Sequence, residues 1–217
     1  SKMHYENISK DMLNPISFTI TVNDVLMRLQ QFSDGKYMHT KDRGFAFEYI
    51  LHQNTDSILN KNLKDYHLPE KMSDIPMIFI SPTIINNGNT LIVSSQKISY
   101  MTQKTVNTYY DRIEFSRLFA KQDAENLKIT SALRMNATFP YISPAVYLPS
   151  KPMLEVMDAG LKDNLGTDLS IQFIRTFKDW IAENTSGIIL LQIRSRERMI
   201  LSDKQYTKSF LHSIIGP

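Results

Sequence analysis

Between residues 153 and 193 the chain reads as strand, turn, helix, strand. A unit of that kind commits the surrounding domain to an α/β design. Its helix is the most sharply patterned segment of the sequence. In DLSIQFIRTFKDWIAEN, Ile174, Phe177 and Ile181 recur at helical spacing, with Phe173 and Trp180 beside them. Thr167 or Asp168 is placed to cap its start. Gly187 interrupts the pattern, and the IILLQI that follows reads as a buried strand. In α/β units the functional loops sit at the carboxyl ends of strands. Asp158, in the stretch VMDAGLKDN, falls at such an end.

Composition narrows what that domain can do. At 217 residues the chain fits one domain or one large piece of a bigger one, and 42% hydrophobic residues supply a core. A net charge of +3 is too small to argue for nucleic acid, which needs a concentrated basic face. With no cysteine, disulfides, thiol nucleophiles and thiolate metal sites are excluded. No run of 18 apolar residues occurs, so no transmembrane helix is expected. The polar start SKMHYENISKDM lacks a signal-peptide core, and a cytoplasmic location is the expectation. The apolar ending FLHSIIGP gives the expectation of a piece cut from a longer chain.

Residues 1–75 read as a mainly helical segment and 76–217 as a strand-rich portion. A helix is expected through Val25, Leu26, Leu29 and Phe32, with Asn23 or Asp24 as its cap, followed by a polar connection, SDGKYMHTKDRG. A second helix starts near Arg43, with Phe47, Ile50 and Leu51 on one side, and DSILNKNLKDYH holds a short third. Apolar runs at Met77–Ile80 and Leu91–Val93 flank the turn signal NNGN, which predicts a hairpin. A helix in AENLKITSALRMNATFP ends before Pro140, and YISPAVYLPSKPMLEVMDAG reads as strands broken by prolines.

The five histidines (His4, His39, His52, His67 and His212) show no metal-ligand spacing and read as surface or packing residues; no metal or cofactor is expected. Asp163 and Asp168 read as surface or capping residues. Taken on local sequence alone, Asp158 is a turn acid holding backbone N–H groups.

From Thr130 to Gly166 the sequence resembles the C-terminal half of a patatin-like phospholipase domain. The resemblance rests on Ser131 and Ala132 at a helix start, then Ala137–Pro140, then Asp158, Gly160 and Asn164 after a strand. DIPMIFISPTIINNGNTLIVSS and the DRG at 42–44 are similar to upstream parts of the same family. The resemblance implies a partial three-layer α/β/α hydrolase domain. Its sheet would be mainly parallel and would lack the N-terminal strands that bear the nucleophile. It implies that Asp158 is the acid of a Ser–Asp dyad hydrolysing an acyl lipid or ester, with Gly160 shaping the turn and Asn164 bracing it. Phe139 and Pro140 are then candidates to line the acyl pocket.

Two departures limit what such a chain does alone. Alanine stands at position 159 where the family turn usually has glycine. None of the seven glycines has another four places on, so the G-x-S-x-G elbow of the nucleophile is absent. The chain therefore reads as the downstream part of a serine acyl hydrolase, inactive by itself. The alternative is an α/β module that kept the fold and binds lipid or protein without catalysis. A missing central strand would expose a sheet edge, so a homodimer or the absent N-terminal half is the expected cover. Peripheral contact with an anionic membrane is a weaker expectation.

Overall fold

The computed structural model describes residues 2–20, 22, 30–34, 37–103, 112–139 and 142–194. Helices α1 (Lys2–Ile8) and α2 (Leu13–Thr19) come first, then a hairpin of β1 (Gln31–Asp34) and β2 (Tyr37–Thr40). Of the helix predicted through Val25, Leu26, Leu29 and Phe32, the first three residues lie outside the described residues, and the expectation is corrected at Phe32, which sits in β1. The polar connection predicted after it is corrected: it contributes strands, with Phe32 opposite His39 and its ring stacked on that imidazole at 5.3 Å.

Helix α3 (Arg43–Asn54) begins where the sequence places it, because the Asp42 carboxylate accepts the Phe45 N–H at 2.9 Å. Helix α4 (Leu63–Lys71) starts on a comparable device, with Asp65 accepting the Asn62 N–H at 2.8 Å. Strands β3 (Thr83–Ile84) and β4 (Thr90–Ile92) form the hairpin predicted around NNGN, and Gly88 supplies the left-handed residue at φ +71°. The paired strand lies later than Met77–Ile80; of that run only Ile80 is bridged, to Val93. Then come a 3₁₀ turn (Ser99–Thr102), β5 (Arg112–Glu114), α5 (Phe115–Leu118), α6 (Ile129–Ala137), β6 (Val146–Leu148) and β7 (Leu154–Met157). Helices α7 (Thr167–Thr176) and α8 (Lys178–Asn184) follow, ahead of the last described residues, 185–194.

The larger sheet has the order β5-β4-β3-β7-β6. Only β4 and β5 run parallel; the other neighbours are antiparallel. This corrects the expectation of a mainly parallel sheet. Two pairs, β3–β4 and β6–β7, are joined by connections of a few residues, which can only reverse the strand. The longer link from β4 to β5 is what permits a parallel neighbour.

Helices cover both faces, and the side-chain alternation of β4 shows how. Leu91 and Val93 pack with Leu63 of α4 and Ile129, Ala132 and Met135 of α6. Ile92 points the other way, joining Ile98, Met101 and Leu169 of α7. The architecture is thus an α/β fold with a mixed sheet flanked by helices.

The βαβ unit predicted for 153–193 is not formed. β7 already has β3 on one side and β6 on the other, so no slot beside it can take a further strand. Residues 187–194 form no helix or strand and pair with no described strand. The single predicted helix is also two helices, broken at Phe177 (φ −106°, ψ +17°). There the Phe177 ring packs on Tyr100 at 5.1 Å and on Phe173 at 4.8 Å.

Candidate functional site

β7 delivers Asp158 to a tight turn beneath the end of α6. The Asp158 N–H donates to the carbonyl of buried Thr138 at 2.9 Å, and the Thr138 hydroxyl donates to Arg134 O at 2.7 Å. The chain then coils into a 3₁₀ turn over Ala159–Leu161, in which the Asp158 carboxylate accepts the Gly160 N–H. Asp163 N–H closes the next turn onto Ala159 O at 2.8 Å.

The three residues singled out by the sequence therefore converge. A methyl group on Gly160 would lie 2.6 Å from Asp158 Oδ1 and 2.9 Å from Asn164 Oδ1. Gly160 is needed for space between those two side chains, and its φ is not left-handed. Ala159 also avoids the left-handed region and is buried, so glycine is not required there either. The Ala159 departure leaves the turn intact.

What the carboxylate touches is the backbone of its own turn. Ser131, at the helix start used for the resemblance, donates its hydroxyl to Glu48 at 2.8 Å. Phe139 is 48% exposed, and its carbonyl accepts the Ser143 N–H at 3.0 Å. Pro140 lies outside the described residues.

Asp163 has a role the sequence reading left open between surface and cap. Its two oxygens accept the Thr167 N–H at 2.8 Å and the Leu169 N–H at 3.1 Å, so it caps α7 in place of Thr167 or Asp168. Asp168 instead pairs with Arg112 of β5, whose side chain is buried. Lys162 reaches back to the β3–β4 turn and donates to Gly88 O at 2.9 Å.

Sequence reasoning missed a second polar centre, under α4. Leu63, Tyr66 and Glu70 share one helical face by their spacing, and that pattern was the available signal. Glu70 is buried; its carboxylate accepts the Ser95 hydroxyl, the Gln96 amide at 3.3 Å and the Ile78 N–H at 3.3 Å. The Tyr66 hydroxyl beside it is buried without a hydrogen-bond partner. Burial, and then the neighbouring Asp65 charge, push the Tyr66 phenol above its ordinary value of 10.0. These residues line a narrow apolar cleft with Ile80, Val93 and Ile129, and Asp158 and Phe139 are not part of it. Among the described residues, no three His, Asp or Glu side chains converge as a metal-holding group. No described helix is long and apolar enough to cross a membrane.

The most unusual surface is the run Ile188–Ile193. Ile189, Leu191 and Ile193 are 95%, 79% and 82% exposed, while Ile188 and Leu190 are 49% and 54% exposed. Exposure alternates with a period of two, as on a strand with one face leaning on the body. Gln192 anchors the inner face by donating to the Thr167 hydroxyl at 2.9 Å.

Comparison with known proteins gives one anchor. No family model matches the chain, and no solved structure matches it. The chain is 26% identical over 168 residues, 70% of its length, to the vacuolar fusion protein MON1 of Kluyveromyces lactis. The match spans 31% of that protein, so this chain covers about a third of the length of the curated relative it resembles.

Proposed function

We propose that this chain is a non-catalytic, protein-binding α/β module belonging to a protein that works in vacuolar membrane fusion. The bare strand-like run Ile188–Ile193 carries the reading. Three large aliphatic side chains are largely exposed beside backbone groups that no described strand pairs. Such a run is a template for pairing with another chain. The sequence similarity to a vacuolar fusion protein supplies the process. The Asp158 turn supports the same reading, since its carboxylate accepts a backbone N–H of the turn itself.

The test uses the full-length protein in cells deleted for its gene, with vacuole fusion scored by microscopy. Asp158→Asn should restore fusion. Leu191→Lys should not, although circular dichroism and Tm match those of the parent. Restoration by Leu191→Lys together with failure of Asp158→Asn would reverse the conclusion.

A second reading is a downstream part of a patatin-like serine acyl hydrolase. It is favoured by the convergence of Asp158, Gly160 and Asn164 at the carboxyl end of β7. The nucleophile would have to come from other parts of a longer polypeptide. Labelling of the full-length protein by a fluorophosphonate probe, with ester turnover lost in Asp158→Ala, would establish it. No labelling and no turnover would remove it.

A further inference from the structure

The turn between β3 and β4 holds three asparagines around one glycine: Asn86, Asn87, Gly88 and Asn89. Asparagine followed by glycine is chemically labile, because an unhindered backbone nitrogen lies one residue from a side-chain amide. Asparagine also belongs to the thermolabile residues depleted from heat-adapted proteins. The structure treats the three differently. Asn86 is tied to the β7 side by both ends of its amide: Oδ1 accepts the Glu155 N–H at 2.8 Å and Nδ2 donates to Met153 O at 3.4 Å. Asn89 precedes Thr90, whose branched Cβ crowds the nitrogen that would have to attack. Asn87 is exposed, precedes glycine, and accepts the Asn89 N–H on Oδ1 at 3.0 Å.

The nitrogen that would react with Asn87 is nevertheless occupied. Gly88 N–H donates to Ile84 O at 2.9 Å, and Gly88 O accepts Lys162 Nζ at 2.9 Å. The hairpin also holds Ile84 N–H on Asn89 O at 2.8 Å. A nitrogen held in this way keeps its proton and stays aimed at Ile84 O, away from Asn87 Cγ.

We propose that Asn87 is a deamidation site gated by opening of the β3–β4 turn. When the turn opens, Gly88 N loses its proton and forms a bond to Asn87 Cγ. The Cγ–Nδ2 bond breaks and ammonia leaves, giving a five-membered succinimide. Water then adds to either ring carbonyl and yields aspartate or isoaspartate. No electrons are exchanged, and water is the sole co-reactant. The isoaspartate product carries one extra carbon in the main chain within the turn. It cannot restore the Gly88–Ile84 and Ile84–Asn89 bonds in register, so each opening that is converted stays open. The same event breaks the bond from Lys162, in the loop that follows Asp158, to Gly88 O.

The test is peptide mapping by mass spectrometry of the full chain, aged in mildly alkaline buffer with and without guanidinium chloride. Fragmentation separates aspartate from isoaspartate. Asn87 should convert ahead of Asn86 and Asn89 in both conditions. The native rate should be at least roughly tenfold below the denatured rate, since only the open fraction reacts. Lys162→Ala, which cuts the Gly88 tether, should raise the native rate, and Asn87→Gln should leave only the slower conversion at Asn86 and Asn89. Equal native and denatured rates would overturn the gating. Native conversion led by Asn86 or Asn89 would overturn the site.

Discussion

At the scale of single residues, Asp158 shows how one side chain supports two readings until its partners are known. An acid after a strand, followed closely by glycine, is compatible with a catalytic carboxylate and with a turn acid. Its side chain accepts the Gly160 N–H, while its backbone donates to Thr138 O and accepts the Leu161 N–H. Gly160→Ala would drive a methyl group against both Asp158 and Asn164. We expect a loss of about 1–3 kcal/mol in urea unfolding, the usual cost of overfilling a packed site. Tyr66 gives the opposite kind of prediction. Its hydroxyl is buried and unpartnered, so Tyr66→Phe should be neutral or stabilising by up to about 1 kcal/mol at neutral pH. Burial also raises the phenol pKa of Tyr66, and of Tyr100 together with the Glu114 charge, above 10.0. The folded state then retains protons that the unfolded chain sheds. The stabilisation is complete below pH 10.0 and is lost as pH climbs through the folded-state values. Urea titrations across that range should show a shallower decline for Tyr66→Phe than for the parent.

At the scale of elements, caps decide where helices start. Asp163→Ala leaves the Thr167 and Leu169 N–H groups of α7 without their acceptor. It should cost about 1–2 kcal/mol, with faster hydrogen exchange confined to the first turn of α7. Gly44 is a positional requirement of another kind. It lies beneath the Arg134 guanidinium, which pairs with Glu48 at 3.3 Å and Asp42 at 3.7 Å, so α3 and α6 approach closely only with no side chain there.

The start of α3, the end of α6 before Pro140, the NNGN hairpin and the proline-broken strands were legible in the sequence, because each follows from local chemistry. The split at Phe177 was not, since helical spacing continues through it and the break is set by packing on Tyr100. The fate of Ile188–Ile193 was not legible either. Its composition says strand, but pairing depends on whether a place beside β7 is vacant, which is decided by β6 and by the more distant β3. In the candidate site, the meeting of Asp158, Gly160 and Asn164 could be read ahead. The capping by Asp163 and the buried Glu70 centre depend on contacts that spacing alone does not rank.

At the scale of the whole molecule, the uncovered face of Ile189, Leu191 and Ile193 predicts self-association of the isolated chain. Sedimentation velocity should show a concentration-dependent shift that Leu191→Lys suppresses. A monomer at all concentrations in both forms would assign the run to a different partner. The order of strands has a temporal consequence. Thr83 pairs with Met157 and Ile84 with Val156, so the middle strand of the sheet needs a neighbour encoded far downstream. During synthesis at roughly 5–20 residues per second, β3 would wait several seconds with that edge bare. Over that interval the nascent chain carries an open apolar seam, and its yield in the cell is set by whatever shields the seam until β7 leaves the ribosome.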